Sequence, residues 1–154
     1  MAATVIGMLG YCTEAEDIGQ ETFIRFYKSL DKFRGESSVS TYLTRIAINL
    51  SLNEIKRKQR RRKFISENSD EGMDNIPENP APKNKGETKE LVHLAIQKME
   101  PKFRSVLVLR LILGYTNQET AKLLKLPIGT VLSRLARAQM KLRDILTPSY
   151  EGLK

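Results

Sequence analysis

Seven cations fall within the eight residues KRKQRRRK, Lys56 to Lys63, and no carboxylate interrupts them. Repulsion within such a run costs folding stability unless an anion offsets it, and the phosphates of a nucleic acid are the natural counter-charge. A solvated helix end helped by the C-terminal dipole is the plainer reading of the same residues. Upstream, Asn49 carries a donor and an acceptor on one amide and can read the edge of a base, whereas Lys and Arg hold phosphate without sequence information. It is equally compatible with an ordinary solvated position on a helix. Asp17, Gln20 and Glu21 supply the opposite chemistry. Carboxylates on one face accept charge-assisted hydrogen bonds from a basic protein surface, or simply favour the helix dipole. Near the other end, Thr130, Ser133, Arg134 and Arg137 alternate with apolar Val131 and Leu135, as in a helix that lies in a DNA groove, with Arg134 foremost for reading a base.

Other chemistry is missing from the chain. His93 is the only histidine and Cys12 the only cysteine, so no zinc set and no internal disulfide can form. Glu14, Asp17 and Glu21 have no further ligands converging on them by spacing, which argues against a metal. No P-loop, GxGxxG or nucleophile-base pair appears, so neither an enzyme nor a cofactor is expected. The longest apolar stretch, Val106 to Leu113, is broken by Arg110 and is well under the roughly 20 residues of a membrane span. The first ten residues hold no Lys or Arg, unlike a secretory signal, and a cytoplasmic home is expected.

The elements that must position these groups are helices. With 154 residues the chain can bury one ordinary core or two small ones, and its net charge of +8 favours a polyanionic partner. Ala15, Ile18, Thr22, Phe26 and Leu30 recur at helical spacing behind Thr13 and Glu16, which read as a capping box. At 100° per residue, Asp17, Gln20 and Glu21 then share the outward face with Ile24 and Lys28. After the turn FRGESS, a second helix is expected from about Ser40, burying Leu43, Ile46, Ala47 and Leu50 and turning Arg45, Asn49 and Lys56 outward. Residues 64–87, with Pro77, Pro80 and Pro82, have the composition of a flexible connection. Beyond it, Leu91, Leu94, Ala95 and Met99 form one stripe, and Phe103 to Leu113 is apolar on nearly every face, as in the central helix of a small bundle. Gly114 stops it. Thr116 and Glu119 form another capping box opening NQETAKLLK, and the break LPIG leads to TVLSRLARAQMKLRDIL, so that the two helices make a helix-turn-helix. The expectation is an all-α protein of two small helical domains, residues 1–63 and 88–147, joined by a linker.

Four strings in order, EAEDIGQETFIRFYKSLDKFRGESSVSTYLTRIAINL, MEPKFRSVLVLR, GYTNQETAKLL and LPIGTVLSRLARAQMKL, resemble the small bacterial sigma factors of the extracytoplasmic-function type. The resemblance implies a first domain of the sigma region 2 kind and a second of the region 4 kind. It implies a protein that binds core RNA polymerase, directs it to promoter DNA through the −10 and −35 elements, and helps melt the duplex. By the family's pattern Asp17, Gln20 and Glu21 dock on polymerase. Arg45, Asn49, Lys56 and Arg57 engage the −10 region, and Thr130, Ser133, Arg134 and Arg137 engage the −35 element. An anti-sigma factor is a further implied partner. The chain departs from the pattern at four residues. Tyr42 stands where Trp is usual, Leu132 and Gln139 where basic residues are common, and Lys125 at a turn where Gly is frequent. The chain also begins partway into the first domain of that pattern, which leaves an upstream start, a cut chain or a shortened variant open. Two other readings use the same residues: a conventional helix-turn-helix regulator that binds duplex as a dimer, and a truncated sigma-like protein that grips a partner without opening a promoter.

Overall fold

The computed structural model describes residues 1–68 and 85–151, with side chains placed over 1–65 and 88–148. Among the described residues the regular structure is entirely helical: α1 (Ala2–Leu9), α2 (Thr13–Lys28), α3 (Val39–Asn68), α4 (Lys85–Gln97), α5 (Pro101–Leu107), α6 (Asn117–Leu124) and α7 (Ile128–Glu151). A 3-10 turn covers Leu30–Lys32, and a π-helical turn, Val108–Ile112, continues α5.

Local chemistry sets most boundaries. Gly10, at φ 82°, ends α1 in a conformation closed to most side chains. The Ser38 hydroxyl accepts from the Thr41 N–H at 3.1 Å, satisfying one of the four unpaired donors that begin α3. Pro101 opens α5, where its missing N–H is no loss, and Gly114, at φ 74°, ends the apolar run. Thr116 and Glu119 close the expected capping box: the Thr116 N–H donates to the Glu119 carboxylate at 2.7 Å and the Glu119 N–H to the Thr116 hydroxyl at 3.2 Å. These bonds hold the Glu119 carboxyl below the ordinary range. The other expected capping box does not form. Cys12 is the extended residue before α2, Thr13 is already helical, and no side chain caps the end.

Two further boundaries differ from the sequence reading. The helix that carries the basic run continues through Asn68 and α4 starts at Lys85, so both ends of the expected connection, residues 64–87, are helical, and the rest of it lies outside the described residues. Leu94 turns outward while Ile96 takes its place in the core.

The two halves pack on each other. Met8 of α1 and Ile48 and Ile55 of α3 share one buried cluster with Ile96, Met99, Phe103, Leu107, Val108 and Leu109. A smaller cluster, Val5, Ala15 and Ala47, ties α1, α2 and α3 together. Polar links cross the same boundary: the Tyr115 hydroxyl donates to Thr44 Oγ1 at 3.2 Å, and Gln97 Nε2 donates to the Gly7 carbonyl at 2.9 Å.

Candidate protein- and nucleic-acid-binding surfaces

On α2, Asp17 and Gln20 are exposed and Glu21 is half-exposed. Glu21 accepts from Arg25 Nε at 2.7 Å, one helical turn on, an i,i+4 pair. Ile24 and Tyr27 extend the same face as exposed apolar groups, Tyr27 being 76% accessible. The surface therefore offers carboxylates for a cationic partner and an apolar strip to dehydrate beside them. Tyr27 was missed in the sequence because an aromatic at helical spacing reads as core.

The first face of α3 carries Arg45, Asn49 and Lys56, all exposed and on one strip, as the spacing predicts. Arg45 lies over the Tyr42 ring, 4.9 Å from its centre. Tyr42 in turn packs edge-on against Phe33 at 5.2 Å and beside Phe26 at 5.9 Å, and its hydroxyl donates to Ser29 Oγ at 3.3 Å. This aromatic group anchors the FRGESS turn between α2 and α3. The loss of Trp at position 42 thus leaves packing in place.

The basic run is partly neutralised by its own chain. Arg57 Nη2 lies 2.9 Å from the carboxylate of Glu54, which is buried to 8% exposure. Lys58 reaches Glu14 on α2 at 2.7 Å, and that hydrogen bond, with the Glu14 backbone N–H, holds the Glu14 carboxyl down at about 2. Lys56, Arg60, Arg61 and Arg62 remain exposed. Of the four residues expected at a melted strand, Arg57 is thus the one whose charge is already balanced.

In the helix-turn-helix, Val131 and Ala138 are fully buried and Leu135 partly so, against Leu123 and Leu124 of α6. Lys125 adopts the left-handed conformation, φ 53° and ψ 49°, the only non-glycine residue with positive φ among those described. That geometry turns the chain from α6 into α7 and leaves Ser133 and Arg137 exposed. Ser133 Oγ donates to the Thr130 carbonyl at 3.1 Å. Leu132, at 48% exposure, is an apolar residue on the outward side of the same helix. Arg134 is half-buried and lines a groove of about 470 Å³ together with Leu52, Lys56 and Gln59 of α3. The structure thus brings Arg134 and Lys56, expected on separate surfaces, to one place.

Arg104 is the residue the sequence least announced. It is 8% exposed and has no carboxylate; burial pushes its guanidinium down to about 10. Its two terminal nitrogens donate to carbonyls at the ends of two helices, Met8 at 2.7 Å, Met99 at 2.9 Å and Gln97, and to the Gln97 side-chain oxygen at 3.1 Å. The negative ends of α1 and α4 thus stand in for a counter-ion. An arginine in an apolar string gives no sign of such a partnership.

Comparison with known proteins gives a consistent answer. The family described as Sigma-70 region 2 matches residues 2–61, and that described as Sigma-70, region 4 matches residues 89–142. The chain is 34% identical over 143 residues to the RNA polymerase sigma-H factor of Pseudomonas aeruginosa, covering 88% of this chain and 74% of that protein. It is 35% identical over 147 residues to the ECF RNA polymerase sigma factor SigW of Bacillus subtilis, covering 90% and 79%. Among solved structures, the sigma factor RpoE of Bartonella quintana, in complex with the anti-sigma factor NepR, superposes with a TM-score of 0.70 at 23% identity, over 95% of this chain and 89% of that one. CnrH, in complex with the cytosolic domain of CnrY, gives 0.66 at 23% identity, covering 96% and 80%.

Proposed function

This chain belongs to the extracytoplasmic-function sigma factors, and from that membership and its surfaces we propose how it divides the work of transcription initiation between its two halves. The protein is an RNA polymerase-binding, promoter-directing sigma factor. In our reading residues 1–63 form the region 2-like part and residues 88–147 the region 4-like part. Core polymerase docks on the α2 face of Asp17, Gln20 and Glu21, with Ile24 and Tyr27 as its apolar floor. Arg45, Asn49 and Lys56 engage the −10 strand, Asn49 by its amide and the cations by phosphate, while Arg57 serves chiefly to hold Glu54. Thr130, Ser133, Arg134 and Arg137 engage the −35 duplex. The protein performs no catalysis of its own, acts in the cytoplasm and is held in check by an anti-sigma factor, a reading supported by the superposed sigma factor RpoE, which was solved with the anti-sigma factor NepR. The observation that carries the docking assignment is the acidic and apolar face of α2, exposed beside a chain that is otherwise strongly basic.

Transcription by purified bacterial core polymerase on a promoter library, with and without the protein, tests the reading and yields the promoter sequence. Asp17→Lys with Glu21→Lys should abolish co-elution with polymerase while leaving the helical fold intact, the reversed Glu21–Arg25 pair costing no more than about 1 kcal/mol. Unchanged co-elution would remove the docking face from α2.

A further inference from the structure

The outward side of α7 is less polar than a surface that reads DNA by hydrogen bonds alone would need. Val131 and Ala138 are fully buried and fix the inward direction of the helix. At 100° per residue, Gly129, Leu132, Ser133 and Ala136 fall within roughly 70° of the opposite direction, and all four are exposed. Ser133 is the polar side chain of this set, and its hydroxyl already donates to the Thr130 carbonyl at 3.1 Å, which leaves its oxygen to accept. Leu132 presents 48% of its surface to solvent, with Ile128, 46% exposed, one turn before it. The cations stand to the sides, Arg137 exposed at one edge and Arg134 half-buried towards α3.

Gly129 supplies a second, independent observation. A β-carbon built there would meet nothing within 4 Å, and the residue is not among the glycines with positive φ. Nothing among the described residues therefore asks for a missing side chain, while glycine weakens a helix relative to alanine. Bare backbone beside an exposed leucine suits a partner that comes close. Charge and position say which partner. α7 holds no carboxylate before Asp144, and Lys122, Lys125 and Arg137 are exposed around its first turns. It is the second helix of the helix-turn-helix, whose N-terminal residues meet base edges in the major groove. There an aliphatic side chain has one apolar counterpart, the 5-methyl group of thymine. We propose that Leu132 is a specificity residue that selects thymine in the −35 element by packing on that methyl group, with Gly129 and Ala136 letting the base edge approach. The proposal rests on the assignment of α7 to the −35 duplex.

Holoenzyme on a promoter recovered from the library tests it. Each −35 thymine, on either strand, is replaced in turn by deoxyuridine, which lacks only the methyl group. One replacement should weaken binding roughly fourfold, the order expected for one buried methyl group. With Leu132→Ala the same replacement should have no effect, because the methyl group then has no partner. That variant keeps the fold, since the side chain is exposed and alanine favours a helix. Equal losses for the two proteins, no loss at any −35 thymine, or a −35 element that holds no thymine would overturn the proposal while leaving the −35 assignment standing. Weaker co-elution of Leu132→Ala with core polymerase, at unchanged sensitivity to deoxyuridine, would also overturn it and assign the apolar side of α7 to a protein contact. Indifference of the holoenzyme to scrambling of the whole −35 element would count against the assignment of α7, and against the proposal with it.

Discussion

Two single residues carry costs that the fold accepts. Lys125 holds a left-handed backbone, φ 53°, where a β-carbon is crowded by its own carbonyl. Lys125→Gly should therefore stabilise the protein by about 1 kcal/mol, read as a higher urea midpoint at unchanged slope. Arg104 is a buried cation whose charge is met by helix-end carbonyls. Neither residue touches DNA or polymerase in our reading of the surfaces. Arg134 stands differently, since its value lies in binding. Arg134→Ala should weaken duplex binding at the −35 element by about 1–3 kcal/mol if the guanidinium reads a base edge. Titration of matched and mismatched duplexes checks this, and equal losses on both would reassign Arg134 to phosphate.

At the scale of the element, the junction of α2 with α3 is an electrostatic one as well as an apolar one. Glu14 and Lys58 join the two helices at 2.7 Å, and the Glu14 carboxyl sits at about 2, well below its ordinary 4.5. A depressed folded value means that this pair contributes stability above pH 4.5, which is lost as the pH falls towards 2. Glu14→Gln should flatten the acid limb of the stability curve between about pH 5 and pH 2 and leave its shape above about pH 6 unaltered. Thermal unfolding across that range measures it, and an unchanged acid limb would show the pair to be unimportant. The pair also draws Lys58 away from nucleic acid. Lys58 thus serves the fold, and Arg57 pairs with Glu54 while staying as exposed as its neighbours on α3, a division that spacing in KRKQRRRK does not reveal.

For the molecule as a whole, a charge of +8 makes DNA binding a matter of displaced counterions. Lys56→Gln, Arg60→Gln and Arg61→Gln in one variant should reduce the slope of log affinity against log salt by up to about 3, at roughly 0.9 for each phosphate that is no longer neutralised. Sequence preference should be retained, because cations on phosphate position the protein without specifying a base. Fluorescence anisotropy of the holoenzyme on a promoter fragment between low and moderate salt gives the slope. An unchanged slope would mean that these cations do not touch the backbone of the DNA.

The sequence alone determined the helices from α2 to α7, the outward faces of α2 and α3 and the capping box at Thr116, while its resemblance to a family marked the turn at Lys125. Each of these depends on neighbours within a few positions, through the 3.6-residue period, a cap that spans three residues or a backbone conformation at one. Only the tertiary structure decided the rest. It buried Arg104 between two helix ends, tied Lys58 to Glu14 across two helices, and turned Leu94 out in favour of Ile96. It also joined both halves in one core and set Arg134 across a groove from Lys56. Those outcomes turn on partners such as Gln97 and Gly7, ninety positions apart. Hydrophobic burial has no direction or address in the chain, and so a local pattern can say that a face is apolar without saying what will cover it.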